Sequence, residues 1–159
     1  DELAIIKRTT GTSLNDVEAI LGAADIEHIQ KLVRAVPVPD HVLRYALRLV
    51  RTTRVKEPMD SGARPKMVTD YVGWGAGPRA SEYLVLAAKA KALLDGATHA
   101  TPEHVRAVAK PVLRHRILTN FNAEADQVTT DTIIDAMLKD VPVEGASALE
   151  KKQMDAAMR

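Results

Sequence analysis

Apolar residues recur along this chain at helical rather than alternating spacing. The first segment, Asp1 to Thr9, reads as a short helix that stops at Gly11, with Leu3, Ile5 and Ile6 as its apolar residues. Thr12 to Leu21 reads equally as a weak helix or an extended connector. A helix is predicted from Ala23 to Val36, with Ile26, Ile29, Leu32 and Val33 on one face. Pro37 and Pro39 end it and open the next, from Pro39 to Thr53, whose apolar face carries Val42, Leu43, Ala46, Leu47, Leu49 and Val50. On its other side Arg44, Arg48 and Arg51 form a basic stripe.

Arg54 to Asp70 has no clear period and contains Pro58, Gly62 and Pro65, so it reads as a long loop, followed by an extended piece at Tyr71-Val72-Gly73. The strongest helical signal runs from Pro78 to Asp95 and stops at Gly96. Its predicted buried side is Tyr83, Leu84, Leu86, Ala87, Ala90, Leu93 and Leu94, and its alanines invite close approach by a neighbour. Thr101-Pro102-Glu103 combines a cap, a first-turn proline and a first-turn carboxylate. That helix is expected to reach Ala109, with a new one opening at Pro111 and running to Thr119. Thr129 or Thr130 caps a last helix with Ile133, Ile134, Met137 and Leu138 inward, and the chain after Pro142 reads as a polar tail. The pattern predicts an all-α helical bundle of about five or six helices with at most traces of short strand.

Composition narrows the chemistry. Apolar residues make up 46% of the 159 residues and charged residues 27%, as in a globular chain, and aromatics only 3%, which suits a core of Leu, Val, Ile and Ala. A formal net charge of +1 gives no global field toward nucleic acid or an anionic membrane. No apolar run is long enough to span a bilayer, and the absence of cysteine excludes disulfides and thiolate metal sites.

The sequence contains no G-x-x-x-x-G-K-[ST] phosphate loop, no G-x-S-x-G elbow and no H-x-x-x-H pair. Gly73, Gly75 and Gly77 do not make a dinucleotide fingerprint, because Pro78 stands where that turn needs freedom and no long strand precedes them. No catalytic residue is therefore expected within the chain. One segment remains, Gly75-Ala76-Gly77-Pro78-Arg79-Ala80-Ser81, which puts an arginine in the first turn of a long helix. A cation there opposes the helix dipole, yet suits that end when an anion such as phosphate binds to it. On residue chemistry alone, Arg79 reads either as such a ligand or as a solvated side chain pairing with Glu82.

That segment resembles the sensor-2 motif of MoxR-type AAA+ ATPases, a pattern close to Gly-Ala-Ser-Pro-Arg-Ala. Other blocks resemble the same family in the same order: Val38-Pro39-Asp40-His41-Val42-Leu43 through Leu49-Val50-Arg51-Thr52-Thr53-Arg54, Ala87 to Gly96, Thr101-Pro102-Glu103-His104-Val105, and Val112 to Leu118. One position departs, since Gly77 stands where the family usually has Ser or Thr. Glycine is a tolerable cap, so the helix start is expected to survive.

The resemblance implies a helical lid over residues 23–140, joined through a connector at 12–22 to the last helix of an AAA+ core at 1–11, with a C-terminal tail at 141–159. It implies that Gly77, Pro78 and Arg79 bind nucleotide, with ATP and Mg2+ as cofactors of the full-length ATPase and none held tightly by this chain alone. The Walker motifs and arginine finger would lie outside the chain. Also implied are a cytoplasmic, chaperone-like hexameric ring, contacts with its own core and neighbouring subunits, and partners with a von Willebrand factor A domain. Arg114 and Arg116 then become candidates for a subunit interface, and His115 for a structural hydrogen bond. The alternative is a helical DNA-binding module using Arg44, Arg48 and Arg51. A charge stripe is more often a solvated face, and the near-neutral charge makes nucleic acid the weaker expectation.

Overall fold

The computed structural model describes residues 1–11, 18–59 and 63–143. Among these residues it contains eight helices and one two-stranded sheet. The chain divides into two compact units, Asp1–Lys31 and Leu32 onward. The first holds helix α1 (Glu2–Thr9) and most of α2 (Ala23–Ala35), neither of which buries a residue. The apolar face expected on α2 is open: Ile26, Ile29 and Leu32 are each close to half exposed. The expectations for 12–17 and for the tail from 144 lie outside the described residues.

The second unit is built on α3 (Asp40–Thr52), α5 (Arg79–Leu94), α6 (Pro102–Leu113) and α8 (Thr130–Asp140). Helix α3 buries Val42, Tyr45, Ala46, Leu49 and Val50, close to the predicted face. Helix α5 differs from expectation. Its buried ridge is Ala80, Leu84, Ala88 and Ala92, one residue every four, while Tyr83, Leu93 and Leu94 are exposed. Three alanines on that ridge let α6 and α3 pack closely against it, and this spacing of small residues is what places the long helix at the centre of the bundle. Gly96 ends α5 at φ +69°, where a side chain would be strained, and Ala97 N–H donates back to Ala92 C=O at 2.8 Å.

Pro111 does not open a new helix; α6 is continuous from Pro102 to Leu113 with Pro111 inside it. The proline sits in the last turn with its ring at the surface, while Ala109, Val112 and Leu113 on the other side are buried and hold the turn. The segment predicted as helix up to Thr119 is instead strand β2 (Leu118–Thr119), paired antiparallel with β1 (Val72–Trp74). Two short helices were not foreseen: α4 (Lys66–Tyr71), inside the supposed loop, and α7 (Phe121–Ala125). Helix α4 buries Val68 and packs on α7 and α8. Asn120 caps α7 by accepting from Ala123 N–H at 3.1 Å.

Polar anchors join the helices. Arg106 Nη1 donates to Tyr45 Oη at 2.9 Å and to Leu138 C=O at 2.6 Å, tying α3, α6 and α8 together. Burial raises the Tyr45 phenol above its ordinary value, although Arg106 pulls the other way. His104 Nδ1 accepts from Thr101 N–H at 3.0 Å at the start of α6, which leaves Nε2 to face Asp95 at the end of α5, 3.5 Å away. No helix among the described residues is long and apolar enough to cross a membrane.

Candidate functional site at the glycine corner

The chain turns from β1 into α5 through Gly75, Ala76, Gly77 and Pro78, and this corner is fixed from the end of α3. Ala76 N–H donates to Thr53 Oγ1 at 2.9 Å, and the same hydroxyl donates to Val50 C=O at 2.6 Å. Arg54 Nε donates to Ala76 C=O at 2.9 Å, while its Nη1 meets Glu57 at 3.3 Å. Both backbone polar groups of Ala76 are thus satisfied by the two residues that follow α3. Gly75 permits this closeness, since a Cβ there would lie 2.2 Å from Thr53 O.

The residues after α3 are held in turn by Arg64. Its guanidinium donates to the carbonyls of Thr52, Arg54 and Glu57 at 2.9, 2.8 and 2.9 Å, and more weakly to that of Val55 at 3.4 Å. A cation is well placed over carbonyls left unpaired at a helix C-terminus. Sequence reading missed Arg64, and gave Thr53 and Arg54 no role beyond membership of a block. No spacing rule announces these bonds, because they run between segments that only the fold brings together.

The two buried threonines here behave oppositely. Thr53 Oγ1 serves both bonds named above, whereas Thr52 Oγ1 is buried without a partner among the described residues. Thr53→Val should destabilise the domain by about 2 kcal/mol, because it strands the Ala76 N–H. Thr52→Val should stabilise it by about 1 kcal/mol, because an unsatisfied buried hydroxyl is replaced by a methyl of similar size. Urea midpoints of the two variants should move in opposite directions.

Helix α5 begins tightly. Pro78 already has helical dihedrals (φ −56°, ψ −36°), and Ala80 and Ser81 N–H donate three residues back, to Gly77 and Pro78 C=O, both at 3.0 Å. Gly77 therefore acts as the cap, and a Cβ there would meet nothing within 4 Å, so loss of the usual hydroxyl residue leaves the turn intact. Arg79 is exposed in the first turn, and no ion pair with Glu82 forms among the described residues. The corner faces a cavity of about 290 Å3 shared with residues 54–57.

The other candidate arginines are engaged within the chain. Arg114 makes a two-pronged contact with Asp131 at 3.1 and 2.8 Å, bracing α6 against α8. Arg116 bonds Val112 C=O and the ring of neighbouring His115, and lies 5.0 Å from the centre of the Tyr83 ring. Within the stripe proposed for DNA, Arg44 pairs with Asp40 at 3.6 Å and Arg48 donates to Pro142 C=O at 3.2 Å.

Comparison with known proteins agrees with this arrangement. Residues 64–137, which include the corner, match the AAA lid domain family. Chaperone MoxR1 of Mycobacterium tuberculosis is 29% identical over 96% of this chain and 39% of its own length. Protein MoxR of Paracoccus denitrificans is 38% identical over 45% of this chain and 22% of its own. The crystal structure of a protein described as an ATPase, from Cytophaga hutchinsonii, superposes with a TM-score of 0.69 at 28% identity, over 89% of this chain and 42% of that one. The chain thus spans about two fifths or less of the length of each relative. A helical bundle with its glycine corner at the start of the central helix is thus similar to MoxR-type AAA+ lid domains in family model, sequence and fold.

Proposed function

We propose that the chain serves as the C-terminal lid of a longer ATPase, and that Arg79 is its sensor-2 residue, meeting the β- and γ-phosphates of Mg2+-bound ATP. The observation that carries this reading is an exposed arginine in the first turn of a 16-residue helix, where no carboxylate among the described residues neutralises it. A cation at the positive end of a helix is disfavoured unless an anion joins it, and the guanidinium fork suits phosphate oxygens. Gly77 and Pro78 contribute by starting the helix at the place that aims Arg79 outward.

The resemblance to chaperone proteins supports placing the whole molecule in a cytoplasmic, hexameric, chaperone-like ring. There the lid would meet its own core and neighbouring subunits, with von Willebrand factor A domain proteins as further partners. Arg114 is committed to Asp131, and Arg116 to Val112 C=O, His115 and the Tyr83 ring, so either would meet a neighbouring subunit only while keeping or exchanging those contacts. DNA binding through the α3 stripe finds no support in an arrangement where Arg44 and Arg48 bond within the chain.

The test is nucleotide affinity in the full-length protein. Arg79→Ala should weaken ATP binding about tenfold, as expected for one lost charge-assisted contact, and ADP or AMP less. Equal affinities for ATP in wild type and variant would remove Arg79 from the site.

A further inference from the structure

A second groove runs along α5 and shares no residue with the cavity at the corner. Helix α5 lines it with Glu82, Tyr83, Val85, Leu86 and Lys89, and the last turn of α2 adds Arg34. From Glu82 to Lys89 the helix rises about 10 Å, so the groove is longer than a single side chain. Its volume is about 430 Å3. Lys89 Nζ donates to Arg34 C=O at 2.7 Å and holds the two helices together at this point.

The charge here departs from that of the whole chain. The sequence has 22 cationic and 21 anionic side chains, close to balance. Around the groove the cations are Arg34, Lys89 and Arg116, whose guanidinium lies 5.0 Å from the centre of the Tyr83 ring. Glu82 is the one carboxylate among the residues that line it. The Arg34 guanidinium and the Glu82 carboxylate are exposed and have no partner among the described residues. Lys89 uses one of its three donors on Arg34 C=O. Between these charges Val85 and Leu86 are half-buried and Tyr83 is half exposed. Cations set around apolar side chains match an acidic segment that also carries an apolar residue.

Glu82 decides between anionic partners. A nucleic-acid backbone brings phosphates, which Glu82 repels and which leave its oxygens without a donor. A peptide brings carboxylates for Arg34 and Lys89, an apolar side chain for Val85 and Leu86, and backbone N–H groups for Glu82. We propose that this groove docks an acidic segment of a partner protein, with carboxylates on either side of an apolar side chain. None of its wall residues belongs to the glycine corner, so the proposal stands apart from the reading of Arg79.

The test uses the full-length protein and a fluorescein-labelled peptide, Glu-Glu-Leu-Leu-Glu-Glu. Fluorescence anisotropy should show saturable binding, and the counterpart with glutamine for glutamate should bind at least about tenfold more weakly. Arg34→Glu should weaken the acidic peptide about tenfold and Arg34→Lys should retain most of the affinity. Because the Arg34 guanidinium holds nothing in the fold, the urea midpoints of both variants should match wild type. Glu82→Gln should weaken the peptide and tighten any binding of a short single-stranded oligonucleotide. Absence of saturable binding means that another part of the molecule covers the groove, and overturns the proposal. Equal binding of the two peptides, or peptide binding unchanged in Arg34→Glu, overturns it as well. An oligonucleotide that binds more tightly than the peptide gives the groove to nucleic acid, and displacement of the peptide by ATP gives it to the nucleotide; either result overturns the proposal.

Discussion

Gly75→Ala should be among the most damaging single substitutions in the domain, costing about 4 kcal/mol or detaching the corner outright. The added Cβ would lie 2.2 Å from Thr53 O, 2.4 Å from Thr53 C and 2.7 Å from Arg54 N. All three are backbone atoms, so no rotamer change relieves the overlap; either α3's last turn or the corner must move. Moving the corner breaks the bonds from Ala76 to Thr53 and Arg54. Overpacking that a side chain can relieve costs about 1–3 kcal/mol, and backbone overlap with loss of one buried and one partly buried hydrogen bond belongs above that range. Gly77→Ala is the control. It lies two residues away, its new Cβ would meet nothing within 4 Å, and its urea midpoint should stay within about 0.5 kcal/mol of wild type. If Gly75→Ala unfolds at the wild-type midpoint, the corner is not packed on α3 as described.

This contrast shows what can be read from a sequence of this kind. The three alternate glycines at 73, 75 and 77 are conspicuous there, yet nothing in their spacing says which one touches another backbone. The long helices α3, α5 and α8 were legible because their periodicity, caps and stops agree: Gly96 ends α5 and Thr129 caps α8. The face of α5 was legible only in part. Large apolar residues were expected inside, but the central helix of a tight bundle buries its alanines and leaves Leu94 and Tyr83 outside. Helices α4 and α7 are six and five residues long, too short to show a period, and exist through tertiary contact. At Pro111 a local rule predicted a break, and burial of Val112 and Leu113 prevailed. Arg79 stood out because it contradicts the dipole rule. Its supports, Thr53, Arg54 and Arg64, break no local rule, so only the folded chain reveals them.

Arg64→Met should lower stability by about 3 kcal/mol although it leaves every apolar contact of the core in place. The guanidinium serves carbonyls of four residues, Thr52, Arg54, Val55 and Glu57, within the turn that ends α3. Charge-assisted bonds contribute about 1.5–3 kcal/mol each, but they share one cation and are not additive, and water can replace the bond to the exposed Glu57 carbonyl. The bonds to Thr52 and Arg54 are partly buried and dominate the expected loss. Arg64→Lys should recover less than half of it, because a single ammonium cannot reach carbonyls spread across six residues of chain in the way a planar fork does. The consequence extends to function, since Arg64 holds Arg54, which holds Ala76, and Thr52, which precedes Ala76's other partner Thr53; Ala76 lies three positions before Arg79. In the full-length protein Arg64→Met should therefore weaken ATP binding even at temperatures where the lid stays folded. Urea unfolding measures the first effect and isothermal titration with ATP the second. A variant that loses stability but keeps wild-type ATP affinity would show that the corner keeps its shape without the brace, leaving Thr53 and the close packing of Gly75 to position Arg79.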